Sequence, residues 1–169
     1  YREFLKIRPD AATVRSNLGA ALAGLGLLEE AAGEYKKALR ESPSLPGVSL
    51  NLALAYYKMG RIGEAAEELA RMHTDPSHHD QATLLLADCY LRMGKNKDVI
   101  RILQPVEGQR PNDLAIAYLL GTALIRDNQT QEGQVLVDKI LRNGESAEAH
   151  LMLGSAKMNV SDLAGARDE

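Results

Sequence analysis

The sequence predicts an all-α solenoid of antiparallel helical hairpins, on three observations. It resembles itself at a spacing of 34 residues, which carries Leu18 onto Leu52, Leu86 and Leu120, and Gly19 onto Ala53, Ala87 and Gly121. A step of 33 then lands on Leu153 and Gly154. Self-similarity at such a period marks stacked supersecondary units, none of which can bury its apolar face alone. Each copy also carries two stretches of helical periodicity. Leu18, Ala21 and Leu22 fall at i, i+3, i+4, and Ala31, Tyr35 and Ala38 at i, i+4, i+7. Between the two stretches sits Gly26, Gly60, Gly94 or Asn128, residue types that take the left-handed conformation closing a helix.

Taken in order, residues 1–11 read as the second half of a truncated repeat helix, with Tyr1, Phe4 and Pro9 under Tyr35, Ala38 and Pro43. Full copies are expected over 12–45, 46–79, 80–113 and 114–146, and a truncated fifth over 147–169. Asp10 is placed to cap the first helix, and Pro46 to sit just inside the third, after Ser44. Pro9, Pro43, Pro76 and Pro111 punctuate the copies, because proline cannot continue a helix. The core columns read Ala31, Ala65, Val99, Gly133, Ala166; Tyr1, Tyr35, Leu69, Leu103, Val137; and Phe4, Ala38, Met72, Val106, Ile140. Leu86, Ala87, Tyr90 and Leu103 are expected to be buried. The uncharged run Leu114 to Ile125 is too short to span a bilayer, which takes about 20 apolar residues, and reads as a helix buried on more than one side.

The order Leu18, Gly19, Leu22, Gly26, Ala31, Tyr35, Ala38, Pro43 resembles the tetratricopeptide repeat, and four copies repeat it in register. Departures are Arg15, Ser49, Thr83 and Ala117 where the repeat usually has Trp, Gly133 in place of Ala, and Lys157 in the column of Leu22, Tyr56, Tyr90 and Leu124. The resemblance implies a right-handed superhelix. It further implies a non-catalytic scaffold that binds an extended peptide or a partner helix in the groove lined by the first helices.

The chain has 169 residues, is 45% hydrophobic and carries a net charge of −3, so bulk charge draws it to neither nucleic acid nor acidic membranes. Helical-repeat RNA binding would want cations and stacking groups in every copy, whereas six Tyr and one Phe sit mostly in core columns. No signal-peptide or transmembrane pattern occurs, and the abrupt start reads as an excerpt of a longer array. The single cysteine, Cys89, excludes an intrachain disulfide and shares a column with Ala21, Ala55, Ala123 and Ala156, as a small packing residue. His73, His78, His79, Asp75 and Asp80 coincide with a turn containing Pro76, where adjacent imidazoles do not converge on one ion. That segment reads as a solvated loop, and His150 as a surface residue. Phosphate loops, nucleophile elbows and Cys and His pairs at ligand spacing are all missing from the sequence, so no enzyme, metal or cofactor is expected. Glu29, Glu30, Glu64, Glu67 and Glu68 are accounted for by helix starts and outer faces.

Function is then expected in the stripe at i, i+4, i+7, i+11 of each first helix: Thr13, Asn17, Ala20, Gly24, and then Gly47, Asn51, Leu54, Lys58. The later copies read Gln81, Leu85, Asp88, Arg92; Ala115, Leu119, Thr122, Arg126; and Glu148, Met152, Ser155, Asn159. An amide at Asn17 or Asn51 can pair with a peptide backbone, the role Asn in this column has in the repeats this chain resembles. Leu85, Leu119 and Met152 make the far half of that column apolar, suited to hydrophobic anchors. Lys58, Arg92 and Arg126 form a cationic row, explained either by their helix C-termini or by an acidic partner. The carboxylate clamp of chaperone-tail binders resembles the groove at Asn17 and Asn51 but needs basic residues at Thr13, Gln81 and Leu85, so that function is not carried over. An unknown protein or peptide, acidic or with apolar anchors, is the expected partner. The alternative is a spacer that assembles through its end faces, with Tyr1, Phe4, Ile7, Leu153 and Leu163 exposed and head-to-tail association following.

Overall fold

The computed structural model describes residues 1, 3, 11–45, 47–73 and 79–143. The described residues contain eight α-helices and no strand. These are α1 (Ala12–Gly24), α2 (Leu28–Glu41), α3 (Val48–Lys58), α4 (Ile62–His73), α5 (His79–Arg92), α6 (Asn96–Glu107), α7 (Leu114–Arg126) and α8 (Thr130–Asn143). The chain forms an all-α helical repeat solenoid with two compact units, Tyr1–Cys89 and Tyr90–Glu169, whose boundary falls within α5.

In the first unit α1 packs on α2, α2 on α3 and α3 on α4, and α1 also touches α3. The hairpin turns close as their sequence demands. Gly26 and Gly60 take φ of 78° and 74°, and the amides of Leu27 and Arg61 reach back to the carbonyls of Leu22 and Tyr56. These bonds satisfy carbonyls that the helix end would otherwise leave unpaired. The core is a ribbon of the repeating columns: Ala31 with Ala65, Tyr35 with Leu69, and Leu52 with Ala53 are all buried. Gly19 is required by packing, because a Cβ there would lie 2.7 Å from Cε1 of the buried Tyr35 ring.

The cap position of α1 is Ala11, which offers no side-chain oxygen; Asp10 lies outside the described residues. The third helix begins at Val48, not at Pro46. Gly47 caps it in the left-handed region with φ 75°, a conformation that cannot belong to a right-handed helix, so the helix starts after it. Pro46 itself is outside the described residues.

In the second unit α6 packs on α7 and α7 on α8. Gly94 closes the turn before α6 with φ 72°, and Asn128 closes the turn before α8 with φ 65°. Asp113 caps α7, its Oδ1 accepting from the amides of Ala115 and Ile116 at 3.0 and 3.2 Å. The uncharged helix α7 is buried on several sides, through Ile116, Leu119, Leu120, Thr122, Ala123 and Leu124. Gly133 lets α8 approach α7 closely: a Cβ there would lie 2.8 Å from the Gly121 carbonyl oxygen and 2.6 Å from Ile125 Cγ1.

Leu86, Ala87 and Leu103 are buried as expected, and Tyr90 is half-buried. Cys89 is a buried thiol among the packing residues. In its column Ala55 and Ala123 are also buried, whereas Ala21 is exposed. Tyr1 is exposed. Phe4, Ile7, residues 74–78, His150, Met152, Leu153, Leu163 and the fifth copy lie outside the described residues, as do the side chains of His73, His79 and Asp80.

Candidate functional site

An open groove of about 510 Å³ runs between α3 and α5 in the first unit. Leu50, Leu54 and Tyr57 of α3 line one wall, and Leu84, Leu85 and Asp88 of α5 line the other. Each wall follows from helical spacing, since residues three or four apart stand on one face. Leu54 remains 36% exposed and Leu85 half-buried, so both present apolar surface. Polarity enters at one end only, where the Tyr57 hydroxyl donates to Asp88 Oδ2 at 2.5 Å. An apolar floor with one fixed polar corner suits a hydrophobic side chain whose own backbone or neighbour finds a hydrogen bond at the rim.

Three of the residues expected from sequence, Leu54, Leu85 and Asp88, meet in this groove. Tyr57, Leu50 and Leu84 were not anticipated. Leu50 and Leu84 stand 34 residues apart in one column, and that shared leucine was the signal available. Asn17 on α1 is exposed and Asn51 on α3 half-buried, and neither belongs to the six lining side chains. Lys58 is exposed in the last turn of α3.

The second unit departs from the expected stripe. Leu119 is 6% and Thr122 2% exposed, so both are packing residues of α7. The helix is apolar around most of its circumference, which draws the middle of the stripe inward. Arg92 and Arg126 are exposed in the last turns of α5 and α7. An Nη of Arg126 donates to the Leu91 carbonyl at 3.4 Å, a cation serving the carbonyl end of a neighbouring helix.

Charges elsewhere stitch helices together. Arg15, standing where tetratricopeptide-like repeats usually carry Trp, is mostly buried and bridges α1 to α2 through Glu41 at 2.6 Å and Glu34 at 3.0 Å. Burial raises the Glu34 carboxyl, but hydrogen bonds from Lys37 and Arg15 outweigh it and hold the group below its ordinary value. Arg61 reaches Glu29 and Glu64, and the hydrogen bond from Arg61 lowers Glu64 in turn. Among the described residues no cluster of His, Cys, Asp or Glu is disposed to hold a metal, and no helix is long and apolar enough to cross a membrane.

The family model described as anaphase-promoting complex, cyclosome, subunit 3 matches residues 25–106 and 66–140, and a tetratricopeptide repeat model matches residues 1–46. The chain belongs to the tetratricopeptide repeat family. Solved structures of such repeat proteins agree in fold. The MamA fragment 41-end from Desulfovibrio magneticus RS-1 has a TM-score of 0.76 at 22% identity, over 93% of this chain and 89% of that one. YrrB, described as a tetratricopeptide repeat protein with an unusual peptide-binding site, has a TM-score of 0.73 at 16% identity, over 99% and 87%. TTC0263, a thermophilic tetratricopeptide repeat protein of Thermus thermophilus, has a TM-score of 0.65 at 17% identity, over 92% and 86%. At these identities the likeness is one of fold. No curated protein matches the sequence. As a tetratricopeptide repeat protein the chain is a protein-interaction scaffold, and such repeats are generally non-catalytic.

Proposed function

We propose that this tetratricopeptide repeat protein is a non-catalytic scaffold whose α3–α5 groove holds a peptide segment of a partner protein by apolar anchors. The supporting observation is the groove itself: four leucines from two helices open to the surface, with one polar corner made by Tyr57 and Asp88. A Leu-sized anchor seated there gains about 1.5–3 kcal/mol from burial, enough for one to two decades of affinity per anchor. Lys58, exposed one turn beyond Leu54, favours an acidic residue beside the anchor. Asn51 stands on the same helix, three residues before Leu54, and offers its amide to the partner backbone.

A random peptide library displayed against the protein tests this reading. Selected peptides carry a recurrent Leu, Ile, Met or Phe anchor, with acidic residues next to it. Leu54→Asp and Leu85→Asp each weaken the selected peptides at least tenfold. Glu67→Ala, at an exposed site on α4, leaves them unchanged. Peptides that bind both aspartate variants as tightly as the parent would contradict the assignment.

A further inference from the structure

A second groove, of about 580 Å³, lies wholly in the second unit, between α6 and α8 with α7 as its floor. Leu120, Leu124 and Leu136 form its apolar base, Val135 forms a wall that is 63% exposed, and the Lys139 to Glu107 ion pair of 2.7 Å spans from α8 to α6.

The repeat itself shows what is missing there. The column of Leu124 reads Leu22, Tyr56, Tyr90, Leu124. Tyr56 is 3% exposed, with Lys36 Nζ 5.2 Å and Arg61 Cζ 4.7 Å from its ring centroid. Tyr90 has Lys95 Nζ at 5.7 Å. Arg61 and Lys95 share a column that reads Leu27, Arg61, Lys95, Gln129, so the covering cation is present in the two copies that have the ring and absent from the two that lack it. Lys36, which covers Tyr56, is the counterpart of Gln104, a side chain that lines the groove. In the second copy, then, a buried tyrosine stands in the column that Leu124 holds in the fourth, beneath cations whose counterparts there are the uncharged Gln104 and Gln129.

The first copy also has Leu at this column, but its cavity is smaller, about 220 Å³, and is lined by Glu34 where the fourth copy has Leu136. Glu34 is committed there to Arg15 and Lys37. Among the described copies, the fourth combines leucine at the ring position with an apolar base.

We infer that the α6–α8 groove receives a Tyr or Phe side chain of a partner protein, seated as Tyr56 is in the second copy. Val135 and the leucine base beneath it supply the apolar contact, and the rim carries Arg142 together with Glu132 and with Lys139 in its pair with Glu107; a cation there attracts the face of an aromatic ring. This site is separate from the α3–α5 groove, and each stands or falls without the other.

Blocked alanine-based pentapeptides with Tyr, Phe, Leu or Ala at the centre are titrated into protein carrying labelled Leu and Val methyl groups. The Tyr and Phe peptides shift the methyl signals of Leu120, Leu124, Val135 and Leu136, at least tenfold more tightly than the Leu peptide, and the Ala peptide leaves them in place. The double variant Leu124→Tyr, Gln129→Arg restores the arrangement of the second copy and reduces aromatic binding at least tenfold. Val135→Lys, a change at an exposed position, weakens it in the same way and serves should the double variant fail to fold. Unmoved groove methyls, equal binding of the Leu peptide, or undiminished binding to the folded variants would overturn the assignment.

Discussion

Gly133 and Gly33 sit in second helices of the same kind, yet one is a packing requirement and the other is open. A Cβ at Gly133 meets backbone of α7 below 3 Å, whereas at Gly33 nothing lies within 4 Å. Gly133→Ala should therefore force α7 and α8 apart at a cost of about 1–3 kcal/mol, as overpacking does. Gly33→Ala should stabilise by about 0.5–1 kcal/mol through chain entropy and helix propensity. Denaturant unfolding of both variants checks the pair, and equal shifts would refute the packing account. Thr122 tests the packing role of the α7 stripe: its buried Oγ has no hydrogen-bond partner among the described residues. Thr122→Val removes that orphaned group and is expected to hold or raise stability, by up to about 1 kcal/mol, without touching peptide binding. At this scale the sequence was readable wherever backbone geometry dictates residue type, as at Gly26, Gly60, Gly94 and Asn128. It was not readable at Gly133. A glycine in an alanine column looks like a loosened core, and only the partner glycine across the crossing, Gly121, shows that it allows a closer one.

Between helices α1 and α2, the residue that stands in place of the usual tryptophan of the repeat makes ionic contacts. Arg15 joins Glu34 and Glu41 across α1 and α2, and Glu34 also receives Lys37. Because Glu34 is held below its ordinary value of 4.5, its contribution to stability is complete above that pH and is lost as pH falls through the lowered value. Acid titration of the melting midpoint should show this loss below about pH 4.5, and Glu34→Gln should flatten it; an identical acid slope in the variant would argue against the bridge. Asp113 gives α7 its hydrogen-bonded cap, and Asp113→Ala should cost about 0.5–2 kcal/mol in the same unfolding measurement. Helix number and order were legible because apolar spacing changes little between copies. Starts were less so: Pro46 looked like a first-turn residue, but the left-handed Gly47 after it decides where α3 begins. The leucine pair Leu50 and Leu84 is not legible as a groove wall because its column opens on Ser16 in the first copy.

For the molecule as a whole, repetition supplies the surface and departures from repetition supply the sites. The α3–α5 groove exists because the column that holds Ala20 in the first copy holds Leu54 and Asp88 in the next two. The fourth copy, more apolar throughout α7, buries Leu119 and Thr122 of the same stripe and opens a groove on its second-helix side instead. Interaction by apolar anchors also fixes the response to salt, since burial of apolar area is not screened whereas charge steering is. The most direct measurement of the central claim is photo-crosslinking of a library-selected peptide carrying a diazirine at its apolar anchor, with the attachment points mapped by mass spectrometry. The account predicts attachment to Leu50, Leu54, Leu84 or Leu85, in salt up to about 0.5 M, which shortens the screening length well below its low-salt value. Attachment confined to the exposed residues of α4, such as Glu67 and Arg71, would contradict it.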